Sequence, residues 1–249
     1  MIAVIGGSGL TQLANLEITR REIVRTPYGE PSGPVTFGHI GKADAVFLAR
    51  HGYGHIFAPH EVNYRANLWA LNHLGVTRVI AVATVGGIAP DLGAGTLALP
   101  DQIIDYTWGR PSTYFEGAEQ PVTHIDFTYP FDEETRQMLR AAAAAAGVPV
   151  VDGGTYGAVQ GPRLETKAEI DRLDRDGATM VGMTLMPEAA LARELKLPYA
   201  AITVVVNPAA GRGASAKCIS VQEIGRVVEE TMAKVRLIVA KAVERHDGA

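Results

Sequence analysis

The residues in this sequence that could do chemistry stand at or just beyond the ends of apolar runs: Ser8, Arg50 with His51, Thr84, Glu165, Thr184 and Asn207. Ser8 follows Ile2-Ala3-Val4-Ile5 within Gly6-Gly7-Ser8-Gly9, which reads as a buried strand emptying into a tight loop. Backbone N–H groups left unpaired by such a loop, with one hydroxyl beside them, suit the oxygens of an anion. Arg50 and His51 follow Ala45-Val46-Phe47-Leu48-Ala49 and offer two potential cations, one of them a planar fork of donors. Together with the hydroxyls of Ser8 and Thr184 they would hold a free tetrahedral anion. A plain glycine turn and two surface-facing cations are the simpler readings of the same residues. Against them stands the common placement at strand ends, where open α/β sheets bind their ligands.

The elements that must position these residues can be read from the pattern. Residues 17–24 and 35–48 are expected as strands of an early antiparallel meander, divided by the turn-rich stretch 26–34 and by Gly41-Lys42. Val62, Ala66, Trp69, Ala70 and Leu74 have helical spacing over residues 60–75, closed by Gly75. An apolar strand over 78–83 stops at Thr84-Val85-Gly86-Gly87. Residues 88–131 are irregular, with short apolar pieces at 96–99 and 102–106. Helices are predicted over 132–146, which ends in six consecutive alanines, over 167–175, over 187–195 and over 221–243; strands are predicted over 148–159, 180–183 and 199–206. Gly211-Arg212-Gly213 suggests that 211–218 is mobile. Strands alternating with crossover helices imply a single α/β domain over residues 1–249, a mixed, largely parallel twisted sheet flanked by helices.

Composition narrows the function. A chain of 249 residues, 47% hydrophobic, can bury one substantial core. Net charge is −4 with no basic run, which argues against nucleic acid or a membrane surface and for a small soluble ligand. The single cysteine, Cys218, fits a reducing cytoplasm and reads as an ordinary packed thiol. No charged region precedes the first apolar run, and no apolar stretch approaches the roughly 20 residues of a membrane span, so a cytoplasmic location is expected. Gly7-Ser8-Gly9-Leu10-Thr11-Gln12 begins like a dinucleotide fingerprint but lacks its third glycine, and Glu17 falls too early for the ribose carboxylate. His51, His55 and His60 have only Glu61 nearby as a carboxylate, which makes a metal improbable, and there is no Gly-x-Ser-x-Gly elbow of an α/β-hydrolase.

Five separated motifs then come into register: Ile5-Gly6-Gly7-Ser8-Gly9-Leu10, Leu48-Ala49-Arg50-His51-Gly52, Val62-Asn63-Tyr64-Arg65-Ala66-Asn67-Leu68-Trp69-Ala70-Leu71, Gln160-Gly161-Pro162-Arg163, and Gly182-Met183-Thr184 with Met186-Pro187-Glu188. In order and spacing they resemble the trimeric purine nucleoside phosphorylase and methylthioadenosine phosphorylase family over nearly the whole chain, most closely its members that act on S-methyl-5′-thioinosine. The resemblance implies a cytoplasmic homotrimeric pentosyltransferase without cofactor or metal, in which phosphate displaces a purine from C1′ of a nucleoside. It also implies that Ser8, Arg50, His51 and Thr184 hold phosphate beside the Ala83-Thr84 backbone, that Met183 lies against the ribose, and that Asn207, Pro208 and Ala209 face the base with Glu165. The loop His124-Ile125-Asp126-Phe127 corresponds to one that reaches a neighbouring subunit's site, with His124 or Phe127 over the sugar.

Hydrogen-bond chemistry then indicates the base. A 6-oxopurine offers an acceptor at O6 and a donor at N1–H, whereas adenine offers a donor at N6 and an acceptor at N1. Ionised Glu165 can only accept and suits N1–H. The Asn207 amide can donate to O6 while its carbonyl accepts from N7–H as the C–N bond breaks, an interaction that strengthens toward the transition state. Family members that prefer adenine carry an aspartate matching Asn207 and a serine matching Glu165, so hypoxanthine-type bases are expected here. Members that act on inosine and guanosine use a histidine of the last helix for the 5′-hydroxyl. Here no histidine occurs between His124 and His246, and Ile219, Val221 and Ile224 stand at that helix start. An apolar wall would leave a hydroxyl unpaired at a cost of about 1–3 kcal/mol and would accept a methylthio group; the same residues could simply pack the helix on the sheet. The alternatives are a general inosine/guanosine phosphorylase, a methylthioadenosine phosphorylase, and a non-catalytic nucleotide-binding regulator on the same fold.

Overall fold

In the computed structural model, which describes residues 1–10, 13, 15–117 and 120–247, the opening apolar run is strand β1 (Ile2–Gly6), buried at every residue. Thr11 and Gln12 of the dinucleotide-like stretch lie outside the described residues. After β2 (Glu17–Glu22) and β3 (Val35–Ile40), which form the expected antiparallel meander with β4 (Ala43–Ala49), β1 runs parallel between β4 and β5 (Arg78–Gly87). Burial on both faces is why β1, β4 and β5 read as continuous apolar runs. The remaining strands are β6 (Leu97–Leu99), β7 (Gln102–Asp105), β8 (Val151–Asp152), β9 (Thr155–Ala158), β10 (Met180–Gly182) and β11 (Tyr199–Pro208), completing an 11-stranded mixed sheet.

The branch point of that sheet is β5. Along one edge it pairs in parallel with β11 from Val79 to Gly87. Its other edge is shared: β1 takes Arg78–Ala81, and β10, running antiparallel, takes Gly86 and Gly87. Residues 82–85 therefore face a gap between the carboxyl end of β1 and β10. Sequence patterning ends this strand at Thr84, yet β5 continues to Gly87 because β10 and β11 both supply backbone partners there. Divergence of neighbouring strands at their carboxyl ends makes a crevice, the position where open α/β sheets place ligands.

Helices α1 (Tyr64–His73) and α4 (Leu185–Glu194) pack against one face of the sheet, and α2 (Glu133–Ala145) and α5 (Val221–Asp247) against the other. Asn63 begins α1 by accepting from the Ala66 N–H, three residues after the expected start, because its side chain supplies the first cap. Asp132 caps α2 in the same way, and Thr166 with Glu169 forms a capping box on α3 (Lys167–Arg175). The segment 211–218, expected to be mobile, carries a 3-10 turn at Gly213–Ser215 with Ser215 buried. Arg212 bridges Asp171 and Asp174 of α3 at 2.7 and 3.0 Å and so links the segment to that helix. Among the described residues no helix is long and apolar enough to cross a membrane.

Candidate active site

The gap beside residues 82–85 opens into a cleft of about 520 Å³ lined by Gly7, Ser8, Arg50, His51, Ala83, Thr84, Glu165, Met183, Thr184 and Asn207. Residues up to 200 positions apart in the sequence thus share one cavity, as their strand-end placement suggested. The glycine loop fits there only because it lacks side chains. A Cβ on Gly7 would stand 2.7 Å from the Val82 carbonyl oxygen and 2.9 Å from Arg50 Nη1. Gly9, at φ +78°, lies so close to α5 that a Cβ would meet Val228 Cγ1 at 2.1 Å. The Arg50 N–H donates to the Gly6 carbonyl at 2.9 Å and so ties the ends of β1 and β4 together.

Arg50 is fully buried, and its fork is not wholly open to the cleft as the sequence suggests. Nε and Nη2 donate to the two carboxylate oxygens of Glu188 at 2.6 and 2.7 Å, and Nη1 donates to the Val82 carbonyl at 2.8 Å. Thr184 is the N-cap of α4, yet its hydroxyl makes no capping bond, and its N–H donates to Tyr156 Oη at 3.1 Å. The hydroxyl also lies within hydrogen-bonding reach of Tyr156, so a ligand would share it with that phenol.

His51 departs from its expected role as a second cation. It is buried, its Nδ1 bonds the Phe57 carbonyl at 2.8 Å, and its ring packs on His55 with centroids 4.4 Å apart. A carbonyl only accepts, so Nδ1 carries the hydrogen and Nε2 is left as an acceptor. Burial, followed by the neighbouring Arg50 charge, pushes the imidazole down to about 4, and the ring is neutral near pH 7. An unfolded chain binds this proton near 6.5, so stability is intact above that pH and falls as pH drops toward 4, by roughly 3 kcal/mol at the acid end. His51→Asn should remove most of that fall; urea unfolding of the ligand-free protein between pH 7 and 4 measures it, and parallel curves for the two proteins would contradict it.

The base-side residues are partly reassigned. Glu165 lines the cleft as expected and also borders a neighbouring cavity of about 320 Å³; burial raises its carboxyl above the usual range. Asn207 lines the cleft just after an irregularity in the β5–β11 register between Val205 and Asn207, a bulge of the kind that re-aims a side chain. One of its amide hydrogens goes to the Pro208 carbonyl at 2.6 Å, leaving one hydrogen and the carbonyl oxygen. Pro208 and Ala209 do not line the cleft; Ala209 packs with Ile88, Ile170 and Leu173, because its N–H is drawn to the Gly87 carbonyl.

At the last helix, Ile219 and Ile224 line the cleft, but Val221 does not: it is 76% exposed. Val228 takes its place, one turn after Ile224 on the same face. The i, i+4 spacing signals Val228 once α5 is fixed. His124 is exposed and lies outside the cleft lining of its own chain.

Sequence reasoning also missed two buried charges. Glu188 is fully buried, and its Oε1 accepts from Tyr199 as well as from Arg50. The signal was a carboxylate within the apolar Pro187–Leu191 stretch, since a buried charge demands a partner. Arg110 is buried with no carboxylate partner among the described residues and donates to the carbonyls of Met183 at 2.8 Å, Met186 at 2.6 Å and Gln160 at 2.9 Å. It pins the two turns that carry Thr184 and Glu165 to each other. Among the described residues no group of three His, Cys, Asp or Glu could hold a metal ion.

Sheet, flanking helices and a strand-end cleft rich in hydroxyl, guanidinium and amide groups define an α/β enzyme that binds a small ligand at its strand ends. Residues 1–244 match the phosphorylase superfamily, and the chain belongs to that family. It is 50% identical to a probable S-methyl-5′-thioinosine phosphorylase of Pseudomonas syringae pv. tomato, with 97% of each chain covered. It is 43% identical to a 6-oxopurine nucleoside phosphorylase of Pyrococcus furiosus, covering 97% of this chain and 91% of the relative. Among solved structures, methylthioadenosine phosphorylase from Schistosoma mansoni in complex with adenine matches with a TM-score of 0.95 and 32% identity, over 100% of this chain and 92% of that one.

Proposed function

We propose that the protein cleaves S-methyl-5′-thioinosine with inorganic phosphate, giving hypoxanthine and 5-methylthioribose 1-phosphate. The observation that carries this reading is a single cavity in which Glu165 and Asn207 meet an apolar wall of Ile219, Ile224 and Val228. Glu165 accepts from N1–H of a 6-oxopurine and Asn207 donates to O6. The wall offers no partner to a 5′-hydroxyl and suits a methylthio group. Relatives named for S-methyl-5′-thioinosine and for 6-oxopurine nucleosides support the same base.

Phosphate sits among the Gly7-Ser8 backbone, Arg50, His51, Thr84 and Thr184, with Met183 against the sugar. One phosphate oxygen forms a bond to C1′ as the C1′–N9 bond breaks, and the bonding pair leaves with the purine. A proton arrives at N7, where the Asn207 carbonyl accepts from the new N–H. The transition state resembles a sugar cation, and catalysis rests on holding the anion at C1′ and stabilising the departing base. No metal or organic cofactor enters these steps. The exposed loop at His124 is assigned to the sugar site of a neighbouring copy in a cytoplasmic homotrimer.

Steady-state kcat/KM for S-methyl-5′-thioinosine, inosine and S-methyl-5′-thioadenosine in phosphate tests the assignment. S-Methyl-5′-thioinosine should lead inosine by about tenfold, the equivalent of one unpaired hydroxyl. A lead for inosine would make the protein a general 6-oxopurine nucleoside phosphorylase, and a lead for S-methyl-5′-thioadenosine would overturn the Glu165–Asn207 argument. Purine binding without any phosphate-dependent release of base would instead mark a non-catalytic binding protein. Ser8→Ala should raise the KM for phosphate about tenfold and that for nucleoside little; equal changes in both would show that the glycine loop does not serve phosphate.

A further inference from the structure

We propose that Glu188 is a positioning residue for phosphate: it turns Arg50 so that two guanidinium N–H groups face the cleft, and it cancels the charge there. The inference rests on phosphate being held beside Ser8 and Arg50. A guanidinium has five N–H donors. Nε–H and one Nη2–H go to Glu188, and one Nη1–H goes to Val82. One hydrogen on each terminal nitrogen is left, the pair that can bind two oxygens of one anion. Arg50 borders the cleft beside Gly7 and Ser8, and although its side chain is fully buried, that pair is the part of the fork left for an anion entering there.

The carboxylate is itself held. Tyr199, fully buried behind it, donates its hydroxyl to Glu188 Oε1 at 2.8 Å. Glu188 also lies four residues after Thr184, just past a kink in α4 at Met186, whose backbone is extended (φ −118°, ψ 136°). One short kinked segment therefore carries both Thr184 and the carboxylate that sets the angle of Arg50. Without the carboxylate, Val82 would be the one hydrogen-bond acceptor among the described residues to fix the plane of the Arg50 side chain.

The charge balance follows from the same contacts. Arg50 is cancelled by Glu188, and His51, with Nδ1–H spent on Phe57, presents a bare Nε2. Phosphate is then selected by the direction of donors and by a hydrogen of its own given to Nε2, not by net positive charge.

Initial-rate kinetics on Glu188→Gln and Tyr199→Phe separate this role from a merely structural one. Gln keeps the shape but faces the guanidinium with an amide N–H, so the KM for phosphate should rise at least tenfold while that for nucleoside stays within about twofold. Tyr199→Phe, which removes only the hydroxyl that pins the carboxylate, should raise the KM for phosphate about threefold. A fall in phosphate KM in Glu188→Gln would make Glu188 a plain counter-charge and overturn the proposal. Equal changes in both KM values would make it a packing residue. Should Glu188→Gln not fold, Tyr199→Phe decides alone, and an unchanged phosphate KM there sinks the idea. Ser8→Ala in parallel tells the two readings apart: if it leaves phosphate KM unmoved, phosphate binds elsewhere; if it raises it while both Glu188 and Tyr199 variants stay silent, only the positioning role fails.

Discussion

Asn207→Asp is expected to lower kcat/KM for S-methyl-5′-thioinosine by about two to three orders of magnitude and to raise it for S-methyl-5′-thioadenosine. An ionised aspartate cannot donate to O6 and meets that acceptor with a second acceptor, whereas the 6-amino group of adenine can donate to it. Losing one directed hydrogen bond and adding repulsion at the departing base costs roughly 3–4 kcal/mol in the transition state. Glu165 adds a pH signature. Its carboxyl is raised by burial, so acidification protonates it while ordinary carboxylates remain ionised. A protonated Glu165 donates, which suits adenine N1, and the ratio of adenine to hypoxanthine nucleoside turnover should rise as pH falls. Competition between the two nucleosides across pH, in wild type and Asn207→Asp, measures both effects. A selectivity that neither the substitution nor acid moves would remove Asn207 and Glu165 from base recognition.

The second large effect concerns Arg50. Arg50→Met should reduce turnover with phosphate about 10³-fold by removing charge-assisted donors. It should also destabilise the fold by about 3–5 kcal/mol, because Glu188 is left as a buried charge without its cation. Arg50→Met combined with Glu188→Gln should recover at least half of that stability, since the neutral amide still accepts from Tyr199, and yet recover none of the phosphate turnover. Denaturant unfolding beside phosphate saturation curves checks the pair. If stability and turnover return together, the loss in the single variant is a folding defect and Arg50 has no separate part in binding the anion.

The sequence was most informative where each residue's surroundings are set by its immediate neighbours. Largely apolar runs such as 2–5, 45–49 and 199–206 read as strands buried on both faces, and Asp132 and Thr166 announce helix starts through bonds that span three residues. Polar groups at the ends of those runs had to gather at one edge of the sheet, and Ser8, Arg50, His51, Thr84, Thr184, Glu165 and Asn207 do share one cleft. Charge state and exact facing were another matter, because they depend on atoms far away in the chain. His51 is neutral because burial and the neighbouring Arg50 charge act on it; two of Arg50's five N–H donors are taken by a carboxylate 138 positions later; and 211–218 is tied to α3 through the ion pairs of Arg212. Which residues of the last helix face the cleft depended on how α5 meets the glycine loop at Gly9, and that contact replaced Val221 by Val228. Local pattern determined the strands, the helices and the cleft's polar complement. Only packing between distant segments decided how many of those polar groups remain free for a ligand and with what charge.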